Sequence, residues 1–142
     1  MPMYRSNAGD AAMVSLDEDD DLLEGLTGAA MELDLKAASI QVIGAVKRLV
    51  VGFYDQAARE YRTLTPDGDF EIASGLGNVS MKDGRPFVHL HVVGTGPDGG
   101  AIGGHLMPGT VVFAAEAWLR QLAADEVPTR VMDPGRGLAL WG

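Results

Sequence analysis

Cysteine is absent from the 142-residue chain. This excludes disulfides, a thiolate nucleophile and any cysteine-ligated zinc or iron–sulfur centre, and leaves histidine and carboxylates as the strong metal ligands. Basic residues are scarce: eleven Lys and Arg stand against twenty Asp and Glu, for a formal net charge of -9. A surface of that sign repels polyanions and anionic membranes, so nucleic-acid binding is not expected from charge. Long apolar runs are missing as well. None approaches the ~18 residues of a membrane span, and the N-terminal stretch Met1 to Asp10 has no apolar leader core, so the expectation is a soluble, cytoplasmic protein with no membrane partner. There is no Lys/Arg-rich tract, fixed-period repeat or Ser/Pro-rich linker. With 46% hydrophobic residues, the chain suits one compact domain over residues 1–142.

Residues 11–16 suit a short first strand. The acidic run Asp17 to Asp21 then precedes Leu22, Leu23, Leu26, Ala29, Ala30 and Leu33, whose spacing is helical. Carboxylates at a helix start accept from its free N–H groups and complement its dipole, which explains the run without calcium; five consecutive acids also lack the alternation and turn glycine of a calcium loop. From Ser39 the texture is β-branched and aromatic, predicting strands over 39–46, 49–54 and 60–64, with turns at 55–59 and 66–69. Phe70 to Ser74 begins another strand, which Gly75 and Gly77 interrupt at a bulge or a close backbone approach. Asp83-Gly84 predicts a hairpin between 77–81 and 86–93, and the Gly-rich turn 96–100 leads into 101–106. Strict alternation makes 110–122 a strand with Val111, Phe113, Ala115, Ala117 and Leu119 on its apolar face and Glu116, Trp118 and Arg120 on the other.

All three histidines, His89, His91 and His105, fall within seventeen residues. Two residues apart on a strand, His89 and His91 share one face, while Val88, Leu90 and Val92 turn to the other. The segment with His105 follows a short turn and is the natural antiparallel partner, with Gly103 and Gly104 allowing close approach. Three neutral imidazoles on a divalent ion leave a coordination position for water, as in catalytic zinc; the spacing alone does not choose zinc over manganese, iron, nickel or copper. The alternative is three polar rings satisfied by backbone or carboxylate partners. Glu116 is the candidate catalytic acid/base or orienting partner, with a salt bridge to Arg120 or another Arg as its competing role. The Gly-x-Gly pieces at 75–77 and 94–96 lack the strand–turn–helix setting of a phosphate cradle. Gly84-Arg85-Pro86 echoes an AT-hook core, but Asp83 precedes it and a hairpin turn accounts for it. Arg59, Arg62, Lys82 and Arg85 are the basic residues available for a local patch.

Gly68-Asp69-Phe70-Glu71-Ile72, Gly77-Asn78-Val79-Ser80, His89-Leu90-His91, Gly103-Gly104-His105-Leu106 and Gly109-Thr110 with Ala115-Glu116 come in an order and spacing that resemble the plant and prokaryote conserved (PPC) domain, and 137–141 is similar to the ending of its stand-alone prokaryotic members. The resemblance implies an α+β fold: a mostly antiparallel, strongly bent, barrel-like sheet with one main flanking helix, assembled as a homotrimer. It further implies a fold related to α-acetolactate decarboxylase, whose zinc-binding His-x-His and later His fall on His89, His91 and His105; the remaining catalytic residues of that enzyme have no match. The reading is a homotrimer binding a divalent metal, zinc, with a small-molecule role of hydrolase or lyase type. The alternative is a non-catalytic regulator or scaffold that binds a protein partner or, by association with plant AT-hook proteins, DNA, although this chain carries no AT-hook.

Overall fold

In the computed structural model, residues 6–142 are described; Met1 to Arg5, part of the stretch read above for a leader, lie outside them. The acidic run does what its position predicts. Asp21 is the N-cap of α1 (Leu22–Glu32), its Oδ1 accepting from the backbone N–H of Leu23 and Glu24 at 2.9 and 3.0 Å. Lys47 draws in Glu18 and Asp19 beside it. Leu22, Leu26 and Ala30 line the buried stripe of the helix, which packs on the sheet. This is the only helix among the described residues, and it is too short to cross a membrane.

The strands are β1 (Ser6–Leu16), β2 (Ala38–Arg48), β3 (Val51–Asp55), β4 (Glu60–Leu64), β5 (Phe70–Lys82), β6 (Arg85–Thr95), β7 (Ala101–Leu106) and β8 (Val111–Ala124). They form one antiparallel sheet in the order β1-β8-β2-β5-β6-β7-β3-β4. A further hairpin pairs β9 (Arg130–Asp133) with β10 (Leu138–Trp141). The sheet does not close, which corrects the barrel-like expectation: among the described residues β1 pairs only with β8 and β4 only with β3. Closure would require those two edges to meet. Instead, β4 is exposed along its whole length and carries Glu60 and Arg62, charges that discourage further pairing at an edge.

One face of the sheet holds the core. Ile40, Val42, Ile72, Val79, Val88, Leu90, Val92, Ala117 and Leu119 are buried there against the helix. A fully buried Leu, Ile or Val contributes about 1.5–3 kcal/mol through transfer from water. The other face is open, with Ile43, Leu76 and Val93 each more than two-fifths exposed. On β8 the predicted alternation holds from Ala115 to Leu119 but fails before it, because Val112 is buried and Phe113 exposed. The β2–β8 register shifts between Ala45 and Val46, and the extra residue on β8 inverts the faces of Val111 and Phe113. Gly75 and Gly77 do not break β5, which runs on through them, and at Gly77 the expected close backbone approach is present. They lie where a side chain has no room, since a Cβ at Gly75 would meet Val42 Cγ1 at 2.3 Å and one at Gly77 would meet His89 O at 2.0 Å.

Candidate metal centre

The β5–β6 hairpin turns at Asp83 and Gly84, both with positive φ (50° and 75°), which suits a tight two-residue loop. That turn fixes the register. Asn78 lies opposite His89, Gly77 opposite Leu90 and Leu76 opposite His91, so the His89 and His91 rings stand on the open face while Val88, Leu90 and Val92 enter the core. The turn between β6 and β7 closes through Gly96 N–H to Gly100 O, with Asp98 Oδ1 accepting from Gly100 N–H, each at 2.9 Å. His105 is thereby set directly across from His91. On its far side β3 comes close at Gly104, where a Cβ would meet Gly52 O at 2.7 Å.

The three rings meet. Their centroids are 5.2 Å (His89–His91), 5.0 Å (His89–His105) and 5.5 Å (His91–His105) apart, and one ligand nitrogen from each lies within 4.8 Å of the others. Bonds of about 2.0–2.1 Å to a tetrahedral ion set nitrogen ligands about 3.3 Å apart, a contraction that side-chain torsions can supply. Tyr61 of β4 stacks on His105 at 5.1 Å. Burial holds His89 down to about 4, with the charges of Arg130, His105 and His91 adding to it; burial also lowers His105, with His91 and Arg130 contributing. At neutral pH both rings are therefore uncharged, the form that binds a metal. His105 Nδ1 is buried without a hydrogen-bond partner. A buried polar atom left unsatisfied costs about 1–3 kcal/mol, so a nitrogen of this kind inside a histidine cluster is unused coordinating capacity. The donor set, the neutrality of His89 and His105 and this orphaned nitrogen fit a divalent ion.

Arg130, which the sequence did not mark, borders the cluster. It is only 8% exposed. Its Nε donates to Ser80 Oγ (2.8 Å), Nη1 to Ala139 O (3.0 Å) and Nη2 to Asn78 Oδ1 (3.1 Å), while Nη2 also lies 3.1 Å from His89 Nδ1. Phe87 and Trp141 pack on the guanidinium at 5.1 and 5.9 Å. Because a guanidinium only donates, His89 Nδ1 is the acceptor and the neutral ring carries its proton on Nε2. A metal drawing on His89 must take that Nδ1 lone pair from Arg130 or displace the Nε2 proton. Beside Arg130, a cavity of about 230 Å3 opens onto His89 and His105. Two larger grooves, about 420 Å3 each, contain no histidine or carboxylate in their lining.

The other candidates lie apart. Glu116 is exposed on β8 between Ser15 of β1 and Ile43 of β2, and β2 and β5 separate its strand from β6, so the chain does not bring it to the histidines. No ion pair forms between Glu116 and Arg120 among the described residues. Arg62 is held by Asp55, and Arg59 donates to Pro134 O. Gly84-Arg85-Pro86 forms part of the hairpin, as expected.

An open antiparallel sheet with one helix on its buried face and three convergent histidines on the other defines a small β-rich protein with a candidate metal centre. Residues 3–123 match the Plants and Prokaryotes Conserved (PCC) domain, and the chain belongs to that family. It is similar to a structure of a metal-containing protein from Archaeoglobus fulgidus, with 39% identity over 100% of this chain and 99% of the other at a TM-score of 0.93. A plant- and prokaryote-conserved protein from Pyrococcus horikoshii is 33% identical over 100% and 97%, also at 0.93. A protein of Bacteroides thetaiotaomicron for which DNA binding is conjectured is 25% identical over 99% and 98%, at 0.86. No curated protein matches the chain.

Proposed function

We propose that the chain is one PPC domain over residues 1–142, assembled as a homotrimer, which holds a divalent metal, zinc, through His89, His91 and His105 and acts on a small molecule in hydrolase- or lyase-type chemistry. The observation that carries this reading is the convergence of three histidine nitrogens within 4.8 Å, one of the rings with a buried unpartnered nitrogen. The metal content of the Archaeoglobus relative supports it. Zinc suits an all-imidazole donor set, and when bound it would supply Lewis acidity and a water whose pKa is drawn towards neutrality. The chain's own part is to keep His89 and His105 neutral through burial and to hold the rings in place by strand pairing. The assembly is supported by the apolar open face, where Ile43, Leu76 and Val93 need cover, while its count of three follows from the family resemblance. Glu116 acts at the centre only if the assembly carries it there, since within the chain it stands apart.

The test is elemental analysis of untagged protein beside His89→Ala/His91→Ala and Glu116→Gln variants. Near one metal per chain is expected in the parent and in Glu116→Gln, with loss in the double variant. A parent protein that holds none, even after incubation with zinc or manganese, overturns the reading. The competing DNA-binding role draws on the Bacteroides relative, and the charge of -9 opposes it. Binding of duplex DNA at low salt with a steep salt dependence would restore it.

A further inference from the structure

The charge around the histidines is of the wrong sign for a chain this acidic. Lys82, Arg130 and the two histidines His89 and His105 line the 230 Å3 cavity, and no Asp or Glu does, although twenty are available. Among the described residues, neither Arg130 nor Lys82 forms an ion pair with a side-chain carboxylate. The guanidinium is buried, and the acceptors Ser80 Oγ, Ala139 O and Asn78 Oδ1 are all neutral. Burying a cation is costly, and Asn78 and Ser80 spread its charge without cancelling it. A divalent ion on three neutral imidazoles would raise the local charge further, because that ligand set neutralises none of it. Of the remaining lining, Tyr61 carries a hydroxyl, while Phe87, Met132, Leu138 and Leu140 are apolar.

We infer that this cavity binds the carboxylate of a small organic acid, its oxygens between the metal position and the Arg130–Lys82 pair and its carbon skeleton against Phe87, Met132 and Leu138. The inference rests on the metal reading above and names the substrate class of that same centre. A carboxylate fits better than phosphate, because apolar walls give carbon a place to lie and offer a second phosphate charge nothing. The volume limits the acid to a few carbon atoms, a water occupying about 30 Å3 of liquid.

Cobalt(II)-loaded protein tests this, since its visible spectrum responds when an anion enters the coordination sphere. The probes are acetate, propionate and butyrate, with acetamide as the neutral analogue, phosphate as the tetrahedral anion, and ionic strength fixed by perchlorate. Saturable spectral change is expected with the acids, tightening about fourfold for each added methylene as the apolar wall is covered. Arg130→Gln should weaken butyrate at least tenfold and Lys82→Ala about threefold, with cobalt still bound. Lys82 is a partly exposed hairpin residue, so its variant keeps the test open if Arg130→Gln fails to fold. Cobalt bound without response to butyrate overturns the inference and leaves the metal reading standing. So does acetamide or phosphate binding as tightly as butyrate, or unchanged affinity in both variants. No cobalt uptake at all overturns the metal reading and this inference with it.

Discussion

Acid should unfold the metal-free protein in a pH window that identifies His89. The folded ring titrates at about 4, against an ordinary value near 6.5 in the unfolded chain, so as pH falls the unfolded chain takes up a proton that the folded one refuses. The stability concerned is whole above about pH 6.5, declines as the pH drops towards 4, and is gone below it. Between pH 7 and pH 5 a shift of this size corresponds to about 2 kcal/mol; the ring is partly exposed, and discounting for solvent leaves about 1 kcal/mol. His105, lowered by the same burial, adds in the same direction. Asp55 and Asp133 are held below their ordinary range, so the stability they supply is lost only at more acid pH and leaves this window clear. Urea denaturation in chelator, at one fixed protein concentration, should show the midpoint falling by about 0.5 M from pH 7 to pH 5 for a slope of about 2 kcal/mol per M. His89→Gln does not titrate and should lose less than the parent. An equal fall in both proteins would falsify the assignment of the window to His89.

Two further outcomes follow from backbone geometry. Gly77→Ala sets a methyl group 2.0 Å from His89 O, a clash with backbone rather than a flexible side chain, and should cost about 2–4 kcal/mol in thermal or urea unfolding while weakening metal uptake through displacement of β6. Asp21→Ala removes the cap of α1 and the bond that Gly109 N–H donates to Asp21 Oδ2, and should cost about 1–2 kcal/mol with metal stoichiometry unchanged; equal stability of variant and parent would show that solvent replaces the cap.

The histidine cluster was legible because local rules determine it. Alternation puts His89 and His91 on one face, and a five-residue Gly-rich turn leaves β7 little choice but to lie beside β6. Arg130 was not legible because no local pattern marks it: its partners Asn78, Ser80 and His89 lie 41 to 52 positions away along the chain, and it reaches them on a hairpin without strong periodicity. Phe113 deceived for a different reason. The bulge opposite Ala45 and Val46 belongs to the pairing of two strands, and one strand's alternation carries no trace of it. The sheet's open edges are likewise a property of which strands fail to meet, and the glycines of β5 signal close approach with the same residue type that elsewhere signals a break.

Order of emergence from the ribosome separates the two halves of the centre. A chain grown as far as Ala124 holds every strand of the main sheet and all three histidines, but not Arg130. At about 5–20 residues per second, roughly one to five seconds of synthesis divide His105 from Arg130. During that interval His89 Nδ1 faces no guanidinium, so a metal ion arriving then would meet no competing donor on that nitrogen and, with Lys82 alone in place, less positive charge nearby. Loading during translation and loading of the finished protein are thus different reactions, and metal supplied during expression should enter faster than metal added to purified apoprotein.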